Sequence, residues 1–266
     1  MRVPTRAELV DLANGNFVAS FAKLAEHSAA GEVREFGGVL AFVTGHTVSL
    51  FNGCVVLEAS RSGQLDDALE WVRGRRVPYR VWIAETLVGD LGAVARRAGL
   101  ERDPVPYPNM VLHPVSASPR PSAGVKVAPV GHEEFVDTSA ELGMSRELAE
   151  AIYSPGFVDD PDIRVFVGWL DGTRAGYSIA IRSGDVSGVY NVGVAPKARR
   201  RGVGTSLTWA AVEAGRDWGC ETAVLQSTEM AFSMYEAMGF RTVLSYAVFK
   251  APTPMGHETP VPPMPQ

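Results

Sequence analysis

The stretch Val189-Tyr190-Asn191-Val192-Gly193-Val194-Ala195-Pro196-Lys197-Ala198-Arg199-Arg200-Arg201-Gly202-Val203-Gly204-Thr205-Ser206 constrains this chain more than any other. An apolar strand feeds a basic, glycine-containing loop. Leu207, Ala210, Ala211, Ala214 and Trp218 then recur at helical spacing until Gly219 stops the helix. A loop that runs straight into a helix start suits a diphosphate. The first amides of a helix have no intrahelical acceptor, and the dipole adds about half a positive charge there. Gly202 and Gly204 let the backbone approach an anion closely, Thr205 and Ser206 offer hydroxyls, and Lys197 with Arg199, Arg200 and Arg201 raises the local potential. Other phosphate loops fit less well. Leu207 stands where a dinucleotide fingerprint has its third small residue, and G-x-x-x-x-G-K-[ST] is absent. A solvated basic face, or a nucleic-acid contact, is the plainer alternative for Lys197 to Arg201. The net charge of −5 argues against nucleic acid as the main partner, because phosphate backbones are bound by Lys and Arg.

Thr5-Arg6-Ala7-Glu8 has capping-box spacing and predicts a helix start. Phe17, Phe21 and Leu24 predict a second helical stretch. Strands are expected near Val39 to Val43 and Val48 to Leu57 with a Gly45-His46 turn between, then at Tyr79 to Ile83 and Met110 to Leu112. Helices are expected over Leu65 to Val72 and Leu87 to Ala98, the latter stopped by Gly99. Residues 114–124, rich in Pro and Ser, read as a linker between a domain of residues 1–113 and one of residues 125–250. Beyond it come a strand at Val125 to Val127 and short helices at Phe135 to Leu142 and Glu147 to Tyr153. Strands at Arg164 to Leu170, Ala175 to Ile181 and Gly188 to Val194 follow, the first two joined by an Asp171-Gly172 turn. After the long helix come a strand at Thr222 to Leu225, a helix at Phe232 to Met238 and a strand at Thr242 to Phe249. The Pro-rich tail from Ala251 to Gln266 has no period. The two halves end alike, with Gly99-Leu100 aligning with Gly239-Phe240 and Ile83 with Ala223, a weak internal repeat.

The segment Arg199-Arg200-Arg201-Gly202-Val203-Gly204 resembles the Gln/Arg-x-x-Gly-x-Gly/Ala signature of the GNAT superfamily of N-acetyltransferases, and Ala231 to Phe240 resembles its A-x-x-L-Y-x-x-x-G-F segment. The resemblance spans Val125 to Lys250. It implies an α/β (α+β) fold with a mixed, mostly antiparallel central sheet flanked by helices. It implies acyl transfer, most simply acetyl, from acetyl-CoA as cosubstrate to a primary amine of a small molecule or peptide. By the same resemblance, the Val192-Gly193-Val194 backbone pairs with the pantetheine arm in a gap between two strands. The amides of Arg201, Gly202, Val203, Gly204, Thr205 and Ser206 hold the diphosphate, and the amine arrives from the opposite side. Tyr235 matches the tyrosine that protonates the departing thiolate, a reasonable role beside a thiol titrating near ~8.5; a half-buried aromatic with a satisfied hydroxyl is the bland reading. Tyr190 occupies the place where many members carry a Glu base. Asp185 and Glu229 are the nearest acidic alternatives, each also readable as a surface carboxylate, and Asn191 could orient a water. Thr228 stands where many relatives have Asn.

The N-terminal half has no comparable loop. Arg73-Gly74-Arg75-Arg76 lacks the second glycine, and Ala95 stands where the repeat alignment puts Tyr235. It reads as a degenerate GNAT-like partner or an unrelated cap. A non-catalytic acyl-CoA-binding module is the alternative function for the whole. Cys54 and Cys220 make no disulfide framework, the opening residues have no apolar signal region, and no apolar run suits a membrane helix. A cytoplasmic protein without membrane or nucleic-acid partners is expected, monomeric or homodimeric. The five histidines are scattered, so no metal is expected.

Overall fold

The helix predicted at Thr5 begins there for the predicted reason. In the computed structural model, which describes residues 4–57, 62–115 and 121–251, the Glu8 carboxylate accepts from the Thr5 amide at 2.7 Å, and the Glu8 amide donates to the Thr5 hydroxyl at 3.3 Å. The two expected helical stretches are one continuous helix, α1 (Arg6–Glu26). Exposed Gly15 inside it costs about 1 kcal/mol, offset by the burial of Ala13, Phe17 and Phe21. The chain continues through β1 (Glu32–Glu35), β2 (Val39–Val43), β3 (Gly53–Val56), α2 (Ser62–Arg73), β4 (Arg80–Ala84), α3 (Val88–Arg97), β5 (Glu101–Arg102) and β6 (Tyr107–Leu112). It then runs through β7 (Val125–Pro129), α4 (His132–Glu141), α5 (Arg146–Ile152), α6 (Pro155–Val158), β8 (Ile163–Leu170), β9 (Thr173–Ser183) and β10 (Val186–Val194). The last elements are α7 (Val203–Asp217), β11 (Thr222–Gln226), α8 (Glu229–Ala237) and β12 (Arg241–Lys250). The expected strand from Val48 is broken by a 3-10 turn at Ser49–Phe51. Asn52, fully buried, draws that turn in: its carboxamide nitrogen lies within hydrogen-bond distance of the His46, Val48 and Pro78 carbonyls, and its oxygen accepts from the Thr44 amide at 2.8 Å. The linker residues 116–120 and the tail from residue 252 lie outside the described residues.

Two compact units arise, and neither follows the division read along the chain. Among the described residues one comprises 4–17, 109–115 and 121–243, and the other 18–57, 62–108 and 244–251. The reason is an exchange of strands: β6 closes the C-terminal half of the sequence into its sheet, and β12 does the same for the N-terminal half.

In the first unit the strand order is β6-β11-β10-β9-β8-β7, with β10–β11 parallel and the other pairs antiparallel. One face is covered by α7 and α8, whose Val203, Leu207, Ala211, Ala214 and Tyr235 share a core with Phe166, Leu170, Ala180 and Val189. The helix α7 seats closely because Gly176 leaves room: a Cβ there would stand 2.7 Å from a Leu207 methyl and 2.3 Å from the Gly193 carbonyl. Tyr177, next along β9, points to the opposite face and packs edge-on against Phe135 of α4. On that second face the start of α1 buries Ala13 against Val111, Val186, Val224 and Val243.

The second unit orders its strands β1-β2-β3-β4-β12, with β3–β4 parallel and β5 paired to β12. Leu65, Ala68, Leu69 and Val72 of α2, on the predicted face, pack with Leu91, Val94 and Ala95 of α3 on Val39, Val56, Val81 and Ile83. The repeat positions are structurally alike. Leu100 donates to the Ala95 carbonyl at 3.1 Å and Phe240 to the Tyr235 carbonyl at 3.0 Å, each across a left-handed glycine, Gly99 or Gly239. The strand β1 was not legible because all four of its residues are exposed.

Candidate acyl-donor and acceptor site

The ladder between β10 and β11 covers only Val186–Gly188 against Thr222–Val224. Beyond Gly188 the two strands no longer pair, and a mouth opens between their C-terminal ends. The pairing of β10 with β9 is broken at the same level, jumping from Tyr190 to Gly193. Asn191 there is left-handed at φ 50°, so two residues of β10 stand opposite one of β9 and the side-chain alternation fails. Tyr190 and Asn191 consequently both turn to the face away from α7. Tyr190 donates to the Asn16 carboxamide oxygen at 2.7 Å, and Asn191 donates to the Tyr153 hydroxyl at 2.8 Å. Asn16 is itself pinned, donating to the carbonyls of Ile181 and Val186 at 3.0 and 3.3 Å. Gly188 accommodates this knot, since a Cβ there would lie 2.1 Å from the Asn16 oxygen and 2.2 Å from the Tyr190 ring.

Downstream of Val194 the loop tightens through a 3-10 turn at Pro196–Ala198 and two left-handed residues, Arg200 at φ 61° and Gly202 at φ 81°. Arginine in that conformation costs of order 1 kcal/mol, strain of the kind that collects at functional loops. Gly202 is the N-cap of α7 and offers no side-chain acceptor, so no side chain caps the amides of the first turn. Gly204 lies against Val194 and Met234. Arg201 is paired with Asp171 at 3.0 Å, and Arg199 donates to the Val194 carbonyl at 3.4 Å. Lys197 and Arg200 are exposed. Across the mouth, at the end of β11, the Thr228 hydroxyl is buried without a hydrogen-bond partner among the described residues. A helix start lacking a cap, a glycine cradle, cationic side chains and an orphaned hydroxyl together fit an anionic, polar-stemmed ligand such as acyl-CoA. Among the described residues no group of three or more His, Cys, Asp or Glu is arranged to hold a metal ion, and no helix is long and apolar enough to cross a membrane.

Val192, Gly193 and Val194 end β10 beyond its ladder with β11, residues 199–206 follow in the loop and first turn of α7, and Thr228 follows β11 as the N-cap of α8. Asp185 lies exposed in the β9–β10 turn, at the far end of β10 from the bulge. Glu229 is the exposed first residue of α8. Tyr235 is buried in the α7–α8 core and hydrogen-bonds to Thr208, whose own hydroxyl donates to the Gly204 carbonyl at 2.9 Å. That chain joins α8 to the first turn of α7. Burial pushes the Tyr235 phenol up to about 12, with the Thr208 bond opposing it. Sequence reasoning missed Asn16 and Tyr153, which fix the two bulge side chains. The spacing of Tyr153 marked only a helix face, and Asn16 lies 174 residues before its partner Tyr190.

Burial also raises Tyr153, Tyr177 and Cys54. A folded-state pKa above the unfolded one makes a group's contribution complete below the unfolded value and lost as pH rises through the folded one. Tyr235 alone should forfeit about 3 kcal/mol between its ordinary value of 10 and about 12. Urea unfolding across pH 7 to 12 should give a level midpoint up to about pH 9 and a steep fall above it. A midpoint unchanged at pH 11 would contradict the burial of these groups.

Residues 132–240 match the model of the acetyltransferase (GNAT) family. Among solved structures, a GCN5-related N-acetyltransferase from Kribbella flavida is similar over 93% of this chain and 96% of that one, with a TM-score of 0.69 and 18% identity. A tandem GNAT protein from the clavulanic acid biosynthesis pathway matches over 92% and 96%, with a TM-score of 0.58 and 16% identity. A GCN5-related N-acetyltransferase from Sphaerobacter thermophilus matches over 93% of each chain, with a TM-score of 0.58 and 13% identity. At such identities the likeness is one of fold, and it extends over both halves of the chain. No curated protein sequence matches.

Proposed function

We propose, from the premise that residues 132–240 are a GNAT acetyltransferase domain, that this protein transfers an acyl group, most simply acetyl, from acyl-CoA to a primary amine of a small molecule or peptide. The observation that carries the reading is the first turn of α7, with no side-chain cap, opening at the mouth between β10 and β11. Bound acetyl-CoA would supply an activated acyl group as its thioester. The amides from Arg201 to Thr205 would hold its diphosphate, with Lys197 and Arg200 adding positive potential; the Ser206 amide, expected among them from the sequence, already donates to the Gly202 carbonyl at 3.0 Å and leaves only its hydroxyl. The backbone edge of Val192 to Val194, released from β11, would bind the polar stem, and the Thr228 hydroxyl would gain a partner. Tyr235 keeps its proton at neutral pH, and its link through Thr208 to Gly204 couples it to the diphosphate turn. Its role would be to lend that proton toward sulfur as negative charge grows there.

Tyr235→Phe tests this. The ring stays and the core keeps its volume, so acetyl-CoA affinity by calorimetry should stay within about twofold, while turnover by thiol release should fall about 10- to 100-fold. Equal turnover would remove Tyr235 from the chemistry. A second reading, an acyl-CoA-binding regulatory module, is favoured by the engagement of the Tyr190 hydroxyl with Asn16 at the place of the usual base. It predicts acetyl-CoA binding with no thiol release for any amine.

A further inference from the structure

The last residues before β7 lie against the loop that opens α7. The Val125 amide donates to the Ser122 carbonyl at 3.0 Å, and the Asp171 amide donates to the Gly124 carbonyl at 2.9 Å. Asp171, in the turn between β8 and β9, accepts in its turn from the Arg201 guanidinium at 3.0 Å. Three segments distant in sequence are thus stitched together just ahead of the helix. The Ser122 side chain completes the join. A Cβ on Gly202 would stand 2.0 Å from the Ser122 hydroxyl oxygen and 2.6 Å from its Cβ. Ser122 therefore fills, from another segment, the space that the side chain of the N-cap residue would take. It is nevertheless exposed. Its hydroxyl borders both the start of α7, which no side chain caps, and the solvent from which an anion arrives.

We propose that Ser122 belongs to the acyl-donor site: its hydroxyl donates to the diphosphate of coenzyme A beside the first amides of α7, and the charge carried at this position decides whether the cofactor binds. This rests on the reading that the α7 loop holds acyl-CoA. A serine hydroxyl brings a donor proton and no charge, so it adds a hydrogen bond to a phosphate oxygen without repelling it. An anionic side chain at the same place reverses the effect. A carboxylate has no proton to give near neutral pH. It is itself attracted to the helix start and would take up the amides that the diphosphate needs. An internal anion and the external one then exclude each other.

The test is calorimetric titration of the full chain with acetyl-CoA, each variant paired with a melting curve. Ser122→Ala should weaken binding about tenfold. Ser122→Asp should weaken it at least about 100-fold, yet leave the melting temperature no lower than the parent's, since an anion at a helix start is favourable. Phosphorus NMR locates the effect, because the diphosphate and the 3′-phosphate of CoA give separate signals. With each protein saturated, Ser122→Ala should change the bound shift of the diphosphate and leave the 3′-phosphate where the parent puts it. Were Ser122→Asp not to fold, Ser122→Ala and its phosphorus signals would decide alone. Affinity within about twofold of the parent in the variants, or an unchanged diphosphate signal, would overturn the role of Ser122 and leave acyl-CoA binding standing. Equal losses in both variants with lowered melting temperatures would reduce Ser122 to a structural part and overturn it too. No binding of acetyl-CoA to the parent protein would sink the acyl-CoA reading itself.

Discussion

Gly202→Ala is expected to weaken acetyl-CoA binding at least about 100-fold, equivalent to about 2.7 kcal/mol. The backbone at Gly202 is left-handed at φ 81°, and a methyl group there would stand 2.0 Å from the Ser122 hydroxyl oxygen and 2.6 Å from its Cβ. The hydroxyl can swing aside but the Cβ cannot, so the loop itself must move. Left-handed alanine costs a further 1–2 kcal/mol or so. Since this residue sets the direction of the first α7 amides, any relaxation disperses the donors that the diphosphate would meet together. Calorimetric titration, paired with a melting curve to show that the fold survives, measures the effect. An affinity within threefold of the parent protein would mean that this loop is not the binding element.

Asn52→Leu is expected to destabilise the second unit by about 3–5 kcal/mol, enough to unfold it at ordinary temperatures in a protein of marginal stability. Asn52 is fully buried, and its carboxamide is shared among the His46, Val48 and Pro78 carbonyls and the Thr44 amide and hydroxyl. Leucine matches its size but leaves these backbone groups unpaired away from water, at about 1–3 kcal/mol each before relaxation. The neighbouring Gly53, where a Cβ would come within 1.8 Å of the Arg80 carbonyl oxygen, leaves the strands no room to adjust. Urea unfolding followed by circular dichroism should show a lower midpoint with an unchanged slope. A loss below 1 kcal/mol would show the polar hub to be dispensable.

What could be read before the structure was local. The capping box at Thr5, the glycine stops at Gly99, Gly219 and Gly239, and the strand-loop-helix at Val189 to Ser206 all rest on contacts between near neighbours, whose chemistry is written in adjacent residues. The strand, loop and helix start proposed to hold the donor were legible as local structure for that reason. The acceptor side was not. Tyr190 could be named as the residue standing for a base, but its partner Asn16 comes from a distant helix. The bulge at Asn191 had only the weak local signal that asparagine tolerates positive φ. The exchange of β6 and β12 escaped for a related reason. An alternating pattern marks a strand and its buried face but does not say which sheet receives it, so the division along the chain missed the discontinuous units.

On the proposed function, coenzyme A is held by the amides opening α7 and by the freed edge of β10. Amide hydrogen exchange with and without CoA reads those groups individually. Protection concentrated in Arg201 to Thr205 and Val192 to Val194 is the predicted result, since the Ser206 amide is already bonded to the Gly202 carbonyl; protection confined to other segments, or none under saturating CoA, would contradict it.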